Sequence, residues 1–561
     1  MVTVGLFAMS GLIGMAVDFG WSFFTRRAAQ AAADAAALAS VNAAFDSINN
    51  GSATYLTLPA QGPADCSSGF SDTRQNACQY ASQNGFSSGG DSGRQSVLVS
   101  AGTGSPFPGV SAHYWVTVQI TENIPQLYSA LLGNSTATIA ASSTAAIVDT
   151  VVTGSVIGLD RQNDPGGPNG TVDLKLAASS IIPSAPNGIV LSSLNAGAGT
   201  CSGCTGVMNT PYTIIRSGAT AGGLTITGSG TWNNSYQNQS DGQNFYDPMR
   251  NMGQPPIPLP LPSSSSTLSP VPVQNGVLTC NGTCAPGAYF ATDSTNTIAT
   301  GGQITISSNV TFANSANSNT WGDYVFYGGL NVTGTGVTVT FGPGSYVMAG
   351  VASASTPDLS FSSGSKVIGG SGTDAGRVFI ITDPSYPGLS AIAPVPSSFG
   401  TLPPLQFGQA SLSPNSIQVY GLDSTSSSLP TDTNSQGSAL KDYGSLLVWQ
   451  DQRFSNVVYT SSGNIATGAS CGGGGTLDLP CTQTPPAPPT IVVGSGQGSQ
   501  FYGRIYQPRG AYIQLLPGAR LITQQLVTGA VDMQSANGTG SFLNLLPLGQ
   551  PAKTRVVALI H

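Results

Sequence analysis

The stretch that decides the fold class of most of this chain is GGLNVTGTGVTVTFGPGSYVMAG, residues 328–350. Its apolar runs are only three to five residues long, they contain many β-branched side chains, and small or polar residues flank each of them. β-Branched residues favour strands, and Gly, Asn, Ser and Pro beside them favour tight turns. Similar runs recur about every ten residues from about 155 onwards, which predicts a mainly β body built from many short strands.

We expect residues 155–561 to form a mainly parallel β-solenoid, with an antiparallel β-sandwich as the alternative. Runs such as TVTF (338–341) and VFII (378–381) are apolar or β-branched at successive positions, whereas sandwich strands alternate between two faces. Helix formers are scarce, since the chain has one glutamate, Glu122, and four lysines, so stacked coils are the remaining way to pair strands in parallel. Stacked coils bring together residues roughly 20 to 30 apart, whereas a sandwich gives hairpin contacts.

Composition narrows the class of protein further. Of 561 residues, 72 are Gly and 38 are Pro, charged residues make up 7%, and the formal net charge is -7. Apolar residues make up 40%, which is enough to form a core, so the composition does not indicate disorder. No basic cluster is present to neutralise phosphates, which argues against nucleic acid as a partner.

The eight cysteines fall into local pairs, namely Cys66 with Cys78, Cys201 with Cys204, Cys280 with Cys284, and Cys471 with Cys481. An even number of cysteines at short spacings predicts disulfides formed in an oxidising compartment. The strings CSGC and CNGTC also fit a four-cysteine zinc site, which stays open as the alternative.

The chain begins with an apolar segment, VTVGLFAMSGLIGMAVDFGWSFF, in which Asp18 is the one charged residue. About twenty apolar residues span a bilayer as a helix, so we expect a membrane helix within residues 2–24. A cleavable signal peptide is the alternative, but the apolar run continues into TRRAAQAAADAAALASVNAAF, which is rich in the strong helix former Ala. One long helix through residues 1–45 is therefore predicted.

The string VDFGWSFFTRRAAQAAADAAALAS closely resembles the start of TadE/TadG-like proteins of the tight-adherence (Flp-type) pilus-assembly system. The positions that match the family pattern are Asp18, Arg26, Arg27, Gln30, Asp34, Ala35, Ala36, Ala37, Leu38 and Ala39. Family members carry a basic segment before the apolar helix, and we expect the natural start to precede Met1.

The resemblance implies a small α+β pilin-like domain at 46–154. It also implies that residues 155–561 form a right-handed parallel β-helix, as in long TadG-like proteins. The expected function is that of a membrane-anchored, non-catalytic structural or adhesion component of Tad pilus assembly. Its body would be exported to the periplasm or cell surface, and its partners would be the inner membrane and pilus or secretion-machinery proteins.

Two proline-rich stretches interrupt the β-rich body, at 254–273 and 471–489. Proline cannot donate the hydrogen bond that a strand ladder needs, so we expect both stretches to form surface loops that cross the solenoid.

Several observations argue against an enzyme. The only histidines are His113 and His561, and GDSG at 90–93 has no histidine before it, although a serine protease with this motif would need one. The string GGSGTDAG, 369–376, partly fits a calcium-binding repeat through Asp374, but it occurs once, and a plain turn is the preferred interpretation. We therefore expect no cofactor and no metal.

Two alternative functions stay open, because parallel β-helices often carry polysaccharide lyases, hydrolases or binding modules. Hydrolysis needs paired carboxylates, and the aspartates beyond residue 155 are isolated in sequence. A surface glycan is a further candidate partner, for which the sugar-stacking candidates are Trp232, Tyr236, Trp321, Tyr324 and Tyr327.

Overall fold

A computed structural model gives the fold. It describes residues 2–49, 57–151, 154–159, 174–191, 252–257, 267–280, 282–295, 302–314, 321–350, 357–370, 374–382, 410–412, 416–434, 438–451, 490–494, 499–508, 511–550 and 553–560, the strand backbones within 199–238, and single residues between these ranges. The side chains of 2–8, 10, 12, 131 and 132 are not part of this description.

The described elements are two longer helices, α1 (Val2–Asn49) and α2 (Arg74–Gln83), a four-residue helical turn at Gly90–Gly93, and many strands. The strands are β1 (Gln61–Asp65), β2 (Gln95–Phe107), β3 (Val110–Pro125), β4 (Thr136–Val151), β5 (Val156–Gly158), β6 (Leu174–Leu176), β7 (Ile181–Ser184), β8 (Ile189–Leu191), β9 (Gly199–Ser202), β10 (Val207–Ile215), β11 (Leu224–Thr227), β12 (Thr231–Asn238), β13 (Pro270–Gln274), β14 (Thr283–Cys284), β15 (Gly287–Thr292), β16 (Ile304–Ile306), β17 (Val310–Phe312), β18 (Gly322–Tyr327), β19 (Leu330–Val332), β20 (Thr338–Phe341), β21 (Gly344–Ala349), β22 (Leu359–Phe361), β23 (Lys366–Gly369), β24 (Arg377–Thr382), β25 (Ala410–Leu412), β26 (Ser416–Tyr420), β27 (Leu446–Gln450), β28 (Thr490–Val493), β29 (Ser499–Tyr506), β30 (Tyr512–Leu515), β31 (Arg520–Thr528), β32 (Ala530–Met533), β33 (Ser535–Ala536), β34 (Thr539–Gly540), β35 (Phe542–Leu545) and β36 (Lys553–Ile560). Short 3-10 turns lie at Cys66–Ser68, Ser129–Leu132 and Leu440–Tyr443.

The chain divides into two units, of which the first is Met1–Thr150 together with the terminal Thr554–His561. Its sheet has the strand order β1-β2-β3-β4-β36, and its neighbouring strands from β1 to β4 pair antiparallel. The terminal strand β36 therefore belongs to this sheet, whereas the sequence had placed all of 155–561 in the solenoid.

The second half of α1 supplies the core of this unit. Alanines recur on one face of the helix at three- and four-residue spacing and, with two larger residues, are at most 1% exposed. These residues are Ala29, Ala32, Ala33, Ala36, Ala37, Val41, Ala44 and Ile48. Because alanine is short, the helix approaches closely, and it packs against α2 and β3.

The single long helix that the sequence predicts is present, from Val2 to Asn49. The membrane span that was expected within it is not found, because in the described part of the chain no helix is both long enough and apolar enough to cross a bilayer.

The second unit, Val151–Thr460 with Ile465–Lys553, is a stack of coils whose strands pair in parallel. Leu330 pairs with Leu359, which lies 29 residues further along the chain, and Tyr324 pairs with Tyr346, at a separation of 22. The antiparallel pairings described in this unit are the β33–β34 hairpin and a bridge between Thr433 and Ala439. The parallel prediction is confirmed, and the antiparallel sandwich is wrong.

The interior of the stack is filled by like side chains on successive coils. Phe312 stacks on Phe341 at 5.2 Å between ring centroids, and Tyr324 stacks on Tyr346 at 4.8 Å. Parallel in-register strands place such residues above one another, so stacked apolar rings and ladder hydrogen bonds stabilise this unit.

The coils do not stack in the order of the sequence. One sheet of the unit runs β11-β9-β6-β32-β30-β28-β25-β22-β19-β16, so β6 lies beside β32 rather than beside β16. The segment 156–238 therefore stacks on the end of the stack that is formed by residues 520–545. Consequently, the chain must travel along the stack to begin its next coil at the far end.

That return path is formed by described residues between 247 and 257, here called the strap. Tyr443 donates a hydrogen bond to the carbonyl of Met252 at 2.8 Å, and Tyr386 donates one to the carbonyl of Pro255 at 2.9 Å. Met249 and Met252 are fully buried. The prediction of a surface loop at 254–273 was wrong at its start, because Pro255 and Pro256 are buried and the carbonyl of Pro255 is bonded to Tyr386.

The other end of that proline-rich stretch was also misassigned as loop. Pro270 and Pro272 lie in β13, which pairs with β15 of the adjacent coil. A proline-containing strand fits an edge position, where one side of the strand needs no donor. The second proline-rich stretch, 471–489, lies outside the described residues.

Candidate functional site

The family-pattern residue Asp18 holds α1 to the turn that follows β3. Its carboxylate accepts hydrogen bonds from the backbone N–H groups of Leu127 (3.0 Å), Tyr128 (3.0 Å) and Ser129 (2.8 Å), and from the Ser129 hydroxyl (3.0 Å). The backbone N–H of Ser129 is the main cause that lowers the pKa of Asp18 below its ordinary value. Asp18 thus caps the 3-10 turn Ser129–Leu132 from a distant helix.

A glycine on the same helix completes this junction. A Cβ atom at Gly14 would lie 2.1 Å from Cγ of Tyr128, so the Tyr128 ring occupies the space that a side chain would need. Gly14 and Asp18 are one helical turn apart and therefore share a face of α1.

Another family-pattern residue, Gln30, forms one hydrogen bond within α1 and one to strand β4. The Gln30 amide donates to Asp34 at 2.9 Å and to the backbone carbonyl of Ser142 at 3.1 Å. Arg26 and Arg27 are exposed, and the Arg27 guanidinium lies 5.8 Å from the centroid of the Phe23 ring. The remaining pattern residues are short or apolar, with Ala36 and Ala37 buried and Ala35, Leu38 and Ala39 half-buried.

The first half of α1 leaves large apolar side chains uncovered in this structure. Phe19 is 73% exposed and Phe24 is 66% exposed. The same holds for Met9, Ile13, Met15, Val17, Trp21 and Phe23, which are at least 49% exposed. Exposed apolar side chains in this number are uncommon on a soluble monomer.

Two of the four predicted disulfides fall in the described part of the chain and are present there. Cys66 is bonded to Cys78 and Cys280 to Cys284. The second bond takes up the CNGTC cysteines, so they are not available to the zinc site considered as an alternative. Cys204, Cys471 and Cys481 and the side chain of Cys201 lie outside the described residues.

The possible catalytic and calcium-binding motifs have structural partners. Asp91 in GDSG forms an ion pair with Arg94 at 2.6 Å, and His113 lies 2.6 Å from Asp149. Asp374 pairs with the buried Arg377 at 2.5 Å and caps the N–H of Gly376, as the turn interpretation expects. Within the described residues, no group of three or more acidic, His or Cys side chains is placed to hold a metal ion.

The aromatic residues expected to stack on sugars were wrongly chosen where the structure describes them. Trp321 is 3% exposed, and Tyr324 and Tyr327 are fully buried. Tyr324 packs in one hydrophobic core of the solenoid unit, and Trp321 and Tyr327 pack in a second one. The side chains of Trp232 and Tyr236 lie outside the described residues.

A different pair of aromatics, missed in the sequence, lines a cleft in the solenoid unit. Tyr420 and Tyr502 are in register on neighbouring strands, and their rings stack at 4.5 Å with an angle of 11°. The cleft has a volume of about 180 Å³, and its other lining residues include Asp423, Ser445, Gln524 and Gln550. Both tyrosines precede a glycine, but Tyr327 does too and is buried, so this signal alone would not have identified them.

The fold and junction define a class of protein in which one long helix, half packed and half apolar and exposed, joins a small sheet, and a parallel solenoid follows in the chain. Residues 1–43 match the family described as putative Flp pilus-assembly TadE/G-like, so the resemblance predicted for the N-terminal region is confirmed.

Two further comparisons add little to this match. The chain is similar to the competence-associated pilin ComZ from Thermus thermophilus at 10% sequence identity, with 84% of this chain and 85% of that chain covered and a TM-score of 0.24. That score is too low to support an argument about fold or function. No curated protein sequence gives a match.

Proposed function

We propose that this chain is a non-catalytic structural or adhesion component that works with a Flp-type pilus-assembly system outside the cytoplasm. The observation that carries the proposal is α1, whose sequence matches the TadE/G-like family over residues 1–43 and whose two halves differ in environment. Its second half forms the core of a folded unit, whereas the apolar side chains of its first half are exposed and free to contact a partner.

Attachment to the inner membrane is part of this proposal. It is supported by the exposed apolar residues of α1, such as Phe19 and Phe24, rather than by a membrane-crossing helix. Lipid or the apolar helices of pilus proteins would cover this surface, because apolar area removed from water contributes roughly 25 cal/mol per Å².

Export to the periplasm or cell surface is supported by the two disulfides, Cys66–Cys78 and Cys280–Cys284, since disulfides persist in oxidising compartments. The low charge and the glycine-rich, proline-rich composition also suit a protein that presents a long β surface.

A deletion experiment in the source organism tests the proposal. Deleting the gene is expected to reduce surface pili or the adhesion that depends on them, and the wild-type gene is expected to restore both. The matched control is complementation with Phe19→Ser/Phe24→Ser, which changes the exposed surface of α1 and leaves its packed half intact. Unchanged piliation and adhesion after deletion, together with recovery of the protein in the cytosol of the wild-type strain, would contradict the proposal.

A further inference from the structure

We propose that the cleft beside Tyr420 and Tyr502 binds a carbohydrate, with room for a single sugar ring of a neutral glycan. The inference deepens the adhesion role proposed above, but its test uses the purified full chain and does not depend on any pilus.

The first element of the site is an aromatic surface. Interior ring stacks such as Tyr324 on Tyr346 are buried, whereas Tyr420 and Tyr502 are both half-buried at the wall of the cleft. On the preceding strand, Gly369 pairs with Val419. The space that a side chain at the next residue, Gly370, would need is occupied by the ion pair of Asp374 and Arg377. Aromatic rings bind the C–H faces of sugars because these faces are apolar and flat.

The second element is a fixed acceptor on the rim. One oxygen of the Asp423 carboxylate accepts from the Thr425 N–H (3.0 Å), the Thr425 hydroxyl (2.7 Å) and the Gln550 amide (2.7 Å). Partial burial alone would raise the pKa of Asp423, but the hydrogen bonds from Thr425 and Gln550 outweigh it and lower the net pKa. The carboxylate is therefore ionised at neutral pH and held in one orientation.

The side chain of Gln550 is held in place by hydrogen bonds on both of its ends. Its amide oxygen accepts from the backbone N–H of Ser424 at 2.7 Å and from the Ser424 hydroxyl at 2.9 Å. The turn at 423–425 and the residue that follows the last coil are thus tied together around the cleft. Such support from neighbouring residues preorganises a binding site.

The third element is an acceptor that the protein leaves unsatisfied. The Gln524 side chain lines the cleft, and its Oε1 atom is shielded from solvent and accepts no hydrogen bond within the described structure. Buried acceptors are nearly always paired, and leaving one unpaired costs roughly 1–3 kcal/mol. Rotation of the Gln524 amide group toward the cleft would bring this oxygen to a hydroxyl donor of a ligand.

The floor of the cleft is conformationally strained. Ser445 has φ of 57°, a value that a non-glycine residue rarely adopts. Its carbonyl oxygen lies close to the backbone of neighbouring coils. Cβ atoms at Gly421 and Gly503 would be only 2.5 Å and 2.6 Å from this oxygen, so both positions require glycine. The carbonyl accepts from the backbone N–H of Arg504 at 2.7 Å. Strain of this kind persists where the surroundings fix it, and it clusters at binding sites.

These features select the chemical class of the ligand. The cleft offers two tyrosine rings, the carboxylates of Asp374 and Asp423, and an amide group, which together suit a ring that carries hydroxyl donors and an apolar face. The Asp374 carboxylate is paired with Arg377. Asp423 disfavours acidic sugars and phosphates, because like charges repel at short range. The volume of about 180 Å³ is below the roughly 300–1,000 Å³ of pockets that enclose drug-sized ligands, so the cleft fits one ring of a longer glycan.

The test is saturation-transfer NMR on the purified full chain, with the methyl glycosides of glucose, galactose, mannose and N-acetylglucosamine as probes. We expect transfer from the protein to at least one glycoside, strongest at the ring C–H protons. Tyr420→Ala should weaken binding of that glycoside roughly tenfold, which is the loss expected for one aromatic stack. The control Tyr80→Ala removes a tyrosine that is 46% exposed in the other unit and should leave binding unchanged.

A second variant separates loss of binding from loss of folding, in case Tyr420→Ala does not fold. Gln524→Ala removes an oxygen that makes no hydrogen bond within the described structure, so it should leave the melting temperature unchanged and still weaken glycoside binding. Absence of transfer to every glycoside, or transfer that is equal in the wild type and in a folded Gln524→Ala variant, would overturn the inference. Neither result would bear on pilus association.

Discussion

Val156, at the start of the solenoid unit, pairs with Leu526, near its end. The backbone N–H of Leu526 donates to the carbonyl of Ser155 at 2.9 Å, so the first coil continues the ladder of the last. Segments 370 residues apart in sequence are therefore neighbours in one stack. Contacts of such separation make the unit cooperative, because neither segment buries its edge without the other.

Leu526→Ala is expected to destabilise the protein by about 2–5 kcal/mol, since Leu526 is fully buried and its truncation leaves a cavity. Urea denaturation followed by far-UV circular dichroism measures this change. Leu127→Ala serves as the control, because Leu127 is 75% exposed and its loss should cost less than about 0.5 kcal/mol. Equal stabilities of the two variants would argue against the pairing of the first and last coils.

Asp18→Ala should lower the thermal stability of the N-terminal unit, because it removes the acceptor for four hydrogen bonds from residues 127–129. The pKa of Asp18 is lowered in the folded state, so its contribution is present above the ordinary aspartate pKa and is lost as pH falls through the lower folded value. Thermal melts of wild type and variant at pH 7 should therefore differ, and the difference should disappear in strong acid. Asp46→Ala is the control on the same helix. A difference that is the same at all pH values would count against the ionised cap.

Asp323 should make the solenoid unit less stable as pH rises. Burial is the main cause that raises the pKa of this carboxyl to about 8, against a hydrogen bond from Trp321 that lowers it. Between the unfolded pKa near 3.8 and a folded pKa near 8, only the unfolded state loses the proton, so stability falls by up to about 1.4 kcal/mol per pH unit.

Asp323→Asn should remove that dependence and raise the melting temperature at pH 8, because the amide is neutral and has the same shape as the protonated acid. Melting curves from pH 5 to pH 8 give the slope directly, and Asp293→Asn, at an exposed aspartate, should keep the wild-type slope. A slope that survives in Asp323→Asn would assign the effect to another group.

The Cys66–Cys78 bond should stabilise the N-terminal unit more than Cys280–Cys284 stabilises the solenoid. The first closes a sequence separation of 12 and the second closes one of 4, and the entropy removed from the unfolded chain grows with loop length. Cys66→Ser/Cys78→Ser is expected to cost about 2–4 kcal/mol, with Cys280→Ser/Cys284→Ser as the smaller, matched comparison. Alkylation with mass spectrometry should find all eight cysteines oxidised in the native protein. Eight reactive thiols would contradict the disulfide prediction and the export inference drawn from it.

The local features of the fold could be predicted from the sequence. Runs such as Thr338–Phe341 became strands because their β-branched residues favour extended backbone and their glycine-rich flanks permit sharp turns. The alanine face of α1 was likewise visible in the sequence, since Ala29, Ala33 and Ala36 follow a helical period.

The order of the coils could not be predicted. Every coil presents a similar parallel edge of backbone N–H and C=O groups, so nothing in the strand at Val156 specifies Leu526 rather than a neighbour in sequence. The tyrosine cleft was missed for the same reason, because Tyr420 and Tyr502 are 82 residues apart and meet only through the register of β26 and β29. Asp18 was selected by family resemblance, and its contact with Ser129 needed the structure.

The most direct test of the account is photo-cross-linking in cells of the source organism, with benzoylphenylalanine in place of Phe19, which is 73% exposed on α1. The same substitution at Phe107, which is 41% exposed on the small sheet, is the control. We expect adducts from position 19 to membrane lipid or to proteins of Flp pilus assembly, with fewer from position 107. Adducts from position 19 to soluble cytoplasmic proteins alone, or none above the position 107 control, would contradict it.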